Sequence, residues 1–324
     1  MIKIDLINAE KIFMLEADRQ TALIYKLQRQ QEAASRVKQI HNKIKHTQSV
    51  VRIGSMALDI LKVNQSVKDF VSLALLDHDI GRFLQMRLAG TYKDYESEPL
   101  IGVAHHGTLG KLLLLGELDK LYPLIGDNQE SIIKEQIPNG NLFYQPIANI
   151  VEGHVSRKNS DEELGILTTN LFQDYDMEQI LGMNNDTVRA ALGSITQLVQ
   201  DSDRLDIYYQ VISGAWSPPI ANTPIPSQIL ELFYQGEYLD IKRIKEDGIW
   251  NDNIGDLVRL SFISQIRLLS IAKVIQNENL IMRLKAARKN PFVNEAFDYT
   301  FELLNSRIQS SEDGIILGKV KKLN

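Results

Sequence analysis

The chain of 324 residues contains no cysteine. Disulfides and thiolate metal sites are thereby excluded, and any bound metal must be held through nitrogen and oxygen. No apolar run approaches the roughly 18 residues of a membrane span. The first residues, MIKIDLINAEKIFMLEADRQ, carry charges where a signal peptide would be apolar. The expected location is cytoplasmic, with no membrane partner. A strong charge of either sign is missing too. Lys and Arg number 36 against 41 Asp and Glu, a net charge of −5, which offers no broad surface for extended nucleic acid. Histidine is scarce, with six in all, and four of the nine prolines fall in one segment, SPPIANTPIPS, from Ser217 to Ser227.

What is present is helical spacing, and the expected fold class is all-α. In TQSVVRIGSMALDILKV the apolar residues Val50, Ile53, Ala57, Ile60 and Leu61 recur at three- and four-residue steps, the mark of one buried face. VKDFVSLALLDHD repeats the pattern through Val67, Phe70, Val71, Ala74 and Leu75. TVRAALGSITQLVQDSDRLDIYYQVI and IGDLVRLSFISQIRLLSIAKVIQNENLIMRL are two further helical stretches. Only the tail GIILGKVKKLN suggests a small strand. The proline-rich segment forbids helix continuation and reads as a loop. It divides residues 1–216 from residues 217–324, whose helices are too few for a comfortable independent core and are expected to pack on the same domain.

The six histidines, His41, His46, His78, His105, His106 and His154, all lie in the first half of the chain. Any one of them alone is adequately explained as a solvated or hydrogen-bonded ring. His46 reads as a residue at the start of a helix. The case of LLDHDIGRF is different, because His78 and two acids directly follow a buried run, and unpaired buried charge is costly. A divalent cation would accept imidazole nitrogen and carboxylate oxygen together. In LVQDSDRLDIYY, helical rows place Asp203 and Asp206 on or beside the buried face and turn Asp201 elsewhere. Periodicity does not choose between Asp203 and Asp206, and pairing with Arg204 is an alternative account of these acids.

His46, the His78-Asp79 doublet and Asp203 stand in the order His…His-Asp…Asp. Around them HTQSVV, LLDHDIGRFLQ, GTYKDYES, IVEGH and QDSDRLD follow one another along the chain. The set resembles the HD-domain superfamily of metal-dependent phosphohydrolases. The order is that of one bacterial group of such hydrolases, which reads something like HT..V, HDIGRF.Q, YGTF.D..S, I..HN and RDADKLD. The likeness runs from about Lys45 to Ile308.

The resemblance implies an HD-domain helical bundle with additional C-terminal helices, the catalytic core lying in residues 1–216. It implies His46, His78, Asp79 and Asp203 as ligands of a divalent metal ion (Mn, Fe, Ni, Co, Mg or Zn), because the ligand of the QDSDRLD-type motif is its second acid. It places Arg82 against phosphate, and His106 and His154 as phosphate contacts, general acids or ligands of a second ion. AHHGTLG carries paired histidines, so His105 and His106 are alternatives for one role, and EGHVSRKN lacks the asparagine of the I..HN motif. Lys111 and Arg204 are further candidates for phosphate contact. The implied reaction is hydrolysis of a phosphoester or phosphoanhydride, of a nucleotide or related small molecule, by metal-activated water. The GYP signature of cyclic-di-GMP phosphodiesterases and the HD..ED pattern of alarmone hydrolases are both absent. Two alternatives are a non-catalytic HD module that senses a nucleotide or partner protein, and a purely structural helical scaffold. The apolar C-terminal helices also allow a homo-oligomer.

Overall fold

The computed structural model describes residues 3–94, 105–120, 131–155, 169–237 and 239–311. Among them are helices and no β-strand, as the spacing of apolar residues predicts. The suggested strand at the C-terminal tail lies outside the described residues. No described helix is long and apolar enough to cross a membrane. The chain separates into two compact units, Met1–Asp203 and Arg204–Asn324. The division falls before the proline-rich segment, which belongs to the second unit.

The first unit opens with α1 (Leu6–Leu27), whose start is fixed by the Asp5 side chain accepting from the Asn8 N–H at 3.1 Å. Helix α2 (Gln30–Leu61) follows and runs for 32 residues. His46 therefore lies well inside a long helix and not at a helix start. The upstream half of α2 is polar, yet Ala33, Val37, Ile40 and Ile44 recur at helical steps and are buried. Helix α3 (Gln65–Asp77) is capped by Asn64, and every residue from Phe70 to Asp77 is buried. Helix α4 (Ile80–Ala89) begins after a two-residue junction, His78-Asp79, and ends at Gly90 with φ 71°. Arg36 of α2 donates to the Met86 and Arg87 carbonyls at the end of α4, satisfying acceptors that the helix itself leaves open.

Helix α5 (His106–Leu115) crosses α4 at very close range. A Cβ on Gly81 would stand 2.2 Å from the His106 carbonyl oxygen and 2.5 Å from the Gly110 nitrogen. Glycine at position 81 thus lets the two backbones approach, and this approach brings the first residue of α5 to the first turn of α4. After α6 (Ile132–Gln136), α7 (Asn141–Gly153) packs on α5 and delivers His154 at its C-terminal end. Short helices α8 (Thr169–Asp174) and α9 (Met177–Leu181) lead into α10 (Asn185–Ile212).

The second unit holds α11 (Ser227–Tyr234), α12 (Ile241–Glu246), α13 (Asp252–Ser264), α14 (Leu269–Asn277), α15 (Leu280–Arg288) and α16 (Asn294–Gln309). The stretch from Ile254 to Leu284 is three helices, not one continuous pattern. The second break is marked by Asn279 at φ 48°, a left-handed conformation that asparagine tolerates. The proline-rich segment is tied down by buried side chains. Arg288 donates to the Pro218 and Pro219 carbonyls, and Asn253 to those of Ala221 and Thr223.

Candidate metal centre

Four histidines and Asp203 come together in a cluster with Asp79 from five separate places in the first unit. His46 comes from the middle of α2, His78 from the α3–α4 junction, His106 from the start of α5, His154 from the end of α7 and Asp203 from α10. The four histidines and Asp79 are buried, while the Asp203 side chain keeps 37% of its surface exposed and marks the solvent side. His105, by contrast, precedes α5 and pairs with Thr108 at 3.3 Å. Among the described contacts it takes no part in the cluster, so His106 is the member of the pair that does.

The two oxygens of Asp79 face different partners. Oδ2 lies 3.4 Å from His46 Nε2 and 3.6 Å from His78 Nε2. Oδ1 lies 3.1 Å from His106 Nε2 and 4.0 Å from His154 Nε2. Asp203 joins the first set, its Oδ1 standing 2.9 Å from His46 Nε2 and 3.8 Å from His78 Nε2. Two three-residue groups, His46–His78–Asp79 and Asp79–His106–His154, each bring their ligand atoms within 4.8 Å of one another. They share Asp79.

Hydrogen bonds on the far side of the rings set their tautomers. His78 Nδ1 lies 2.8 Å from the Leu75 carbonyl and His154 Nδ1 lies 2.5 Å from the Val151 carbonyl. A carbonyl only accepts, so both Nδ1 atoms carry the proton and both Nε2 atoms present a lone pair toward Asp79. Burial lowers the pKa of His78, and burial with the neighbouring His106 and His78 takes that of His154 to about 3. Both rings are thus neutral near pH 7. The third ring is held by Asp94, whose carboxylate lies 3.2 Å from His106 Nδ1 and accepts from the His106 backbone N–H at 3.1 Å. Its Nε2 also faces the cluster.

The carboxylates are kept ionised. Burial alone would raise Asp79, but Lys43, His78, His106 and His46 outweigh it and hold the carboxyl well below its usual range. Asp203 is likewise depressed: desolvation would raise it, but the hydrogen bond and charge of His46 outweigh that. Asp94 is depressed against its burial by His106 and Arg82. Arg82, in the first turn of α4, donates through Nη1 to Asp94 at 3.1 Å, to Gln85 at 2.8 Å and to the Tyr92 carbonyl. Its Nε stands 3.4 Å from Asp79 Oδ1.

Sequence patterns alone leave several of these residues unassigned. Lys43 lies one turn before His46 on α2, and its Nζ is 2.6 Å from Asp79 Oδ2; nothing in the local sequence sets it apart from a surface lysine. Asp94 is the acid of GTYKDYES, and Gln85 donates to it at 2.9 Å. The other acids of QDSDRLD go elsewhere. Asp201 accepts from Gln197 at 2.8 Å, and Asp206 accepts from Gln210. Lys111 pairs with Glu152 at 2.7 Å, and Arg204 lies over the Phe262 ring.

Comparison with protein-family models, curated proteins and solved structures returned no match.

Proposed function

We propose that the chain is a metal-dependent phosphohydrolase of the HD-domain type, acting on a phosphoester or phosphoanhydride of a nucleotide or related small molecule. One observation carries the reading. The lone pairs of neutral His78 and His154 turn toward opposite oxygens of the same ionised carboxylate, Asp79. A proton on one ring could satisfy one such contact, whereas a divalent cation in each group would satisfy all of its donors together. The donor set is nitrogen and oxygen throughout, which suits Mn, Fe, Ni, Co, Mg or Zn.

His46, His78, Asp79 and Asp203 would hold one ion. His106 and His154 would hold a second, with Asp79 common to both. A cation held there supplies Lewis acidity, lowering the pKa of a water and offsetting charge on phosphoryl oxygens. The protein's own part is positioning. Leu75, Val151 and Asp94 fix the ring orientations of His78, His154 and His106, as partners behind ligating histidines commonly do. Arg82, anchored by Asp94 and Gln85, presents a planar guanidinium beside the site for a phosphate oxygen. The partly exposed edge at Asp203 provides the approach from solvent.

The test is elemental analysis of the purified protein, followed by a screen of nucleotides and phosphoesters with added Mn²⁺. Bound metal in the wild type, with metal and turnover both lost in Asp79→Ala, is the expected result. Absence of bound metal from the wild type, or turnover surviving Asp79→Ala, overturns it.

A further inference from the structure

Lys43 is the closest cationic group to Asp79, and it is not alone on that side. Its Nζ lies 2.6 Å from Asp79 Oδ2 and 5.8 Å from the centre of the Tyr92 ring. Arg82, whose Nε stands 3.4 Å from Asp79 Oδ1, donates to the Tyr92 backbone carbonyl, so Lys43 and Arg82 both reach this carboxylate and Tyr92 lies beside them. Two atoms in this group are shut away from solvent and make no hydrogen bond, the Tyr92 hydroxyl and Arg82 Nε. Buried donors without acceptors are uncommon in folded proteins. The Tyr92 pKa is raised by burial and then by the charge of Asp79, which places the hydroxyl within the electrostatic reach of the same carboxylate.

These features have one common explanation. An ammonium, a hydroxyl and a guanidinium N–H are all donors, and what the group lacks is an acceptor-rich partner. Asp79 meets these donors only in part, with Oδ2 accepting from Lys43 at 2.6 Å and Oδ1 standing 3.4 Å from Arg82 Nε. A tetrahedral oxyanion carries several acceptors arranged in different directions, and charge-assisted bonds to its oxygens are the strong kind.

We propose that Lys43 and Tyr92, together with Arg82, form the cradle for the phosphoryl group, with Lys43 changing partner from Asp79 to the anion when the metal site is filled. This rests on the phosphohydrolase reading. In the cation-free protein the Lys43 ammonium neutralises Asp79 Oδ2. With a divalent ion held by Asp79, the ammonium would be redundant there and would be repelled. Lys43, 22% exposed at its side chain, then turns from Asp79 and uncovers the Tyr92 hydroxyl and Arg82 Nε to the incoming oxygens. Lys43 is thus both a competitor of the metal and a binder of the phosphate. The two roles give opposite signs in experiment.

The experiment measures Mn²⁺ and inorganic phosphate binding to the full chain by calorimetry, with metal content determined on every sample. Lys43→Met is expected to bind Mn²⁺ more tightly than the wild type. At equal Mn²⁺ occupancy it should bind phosphate more weakly by roughly tenfold or more, the loss of one charge-assisted bond. Tyr92→Phe should leave Mn²⁺ affinity unchanged and weaken phosphate several-fold. Lys43→Arg should recover most of the phosphate affinity, which separates loss of charge from a folding defect. Unchanged phosphate affinity in both Lys43→Met and Tyr92→Phe at full Mn²⁺ occupancy overturns the cradle alone. A wild type that takes up no metal overturns the phosphohydrolase reading as well, and elemental analysis tells the two failures apart.

Discussion

The Nε2 atoms of His106 and His154 stand 3.1 Å apart, and both face Oδ1 of Asp79. His154 is neutral at ordinary pH and offers a lone pair there, since its Nδ1 proton is committed to the Val151 carbonyl. Such a meeting of acceptors is relieved by a cation, which binds the folded protein and not the unfolded chain. Mn²⁺ or Zn²⁺ is therefore expected to raise the melting temperature of chelator-treated protein. By mass action, ligand at a hundred times its dissociation constant adds about 2.7 kcal/mol. A melting temperature indifferent to divalent ions and to EDTA would count against both ion positions.

The sharing of Asp79 leads to a second expectation, about stoichiometry. His154→Gln removes a donor from the Asp79–His106–His154 group and leaves His46, His78, Asp79 and Asp203 intact. Metal content should fall from two ions per chain toward one. His46→Gln should leave the ion beside His106 and His154, while Asp79→Asn should lose both. Atomic absorption on the three variants, after dialysis against equal free metal, distinguishes this pattern. Equal metal loss in all three would show a single ion.

Asp94 touches neither Asp79 nor any proposed ion in the described contacts, yet it holds His106 at ring and backbone and anchors Arg82. Asp94→Asn keeps the shape and removes the charge that fixes the His106 tautomer. Changes behind a ligating histidine typically cost 10–100-fold in metal affinity or activity, and a loss of about that size is expected. The readout is Mn²⁺ affinity at the His106 position beside the rate at saturating Mn²⁺. Unaltered values for both would mean that Asp94 serves the fold only.

Parts of this site are legible in the chain and parts are not. Helix α3 announces itself because its apolar residues repeat with the helical period up to Asp77, so the polar His78-Asp79 end stands out. Helix α2 is less clear. Its buried upstream residues are few and separated by polar ones, and His46 therefore looks like a beginning when it lies mid-helix. Periodicity leaves Asp203 and Asp206 equivalent, because both lie near one helix face. Only the packing of α10 shows which of them meets His46. Lys43 and Tyr92 have no local signal that separates them from surface residues. Their meeting depends on α2 and the segment after α4 arriving at the same carboxylate, a fact of tertiary structure.

Asp77, the residue before the histidine, yields a test that is independent of metal. It is fully buried at the end of α3, with Oδ1 accepting from Gln136 at 3.0 Å and Oδ2 making no hydrogen bond. Burial pushes its carboxyl up to about 7, opposed by the Gln136 bond. In the unfolded chain an aspartate releases its proton near pH 3.9. Between these values the folded state binds the extra proton, so stability declines as pH rises from about 4 through about 7. Asparagine has no proton to lose and keeps the acceptor for Gln136. At about 1.4 kcal/mol per pH unit the difference between Asp77→Asn and wild type grows toward roughly 4 kcal/mol by pH 8. Urea unfolding of both proteins in EDTA at pH 5 and pH 8 measures it, with EDTA keeping metal linkage out of the comparison. The variant should gain on the wild type as the pH rises, and parallel pH profiles would show that the Asp77 carboxyl is not held protonated by the fold.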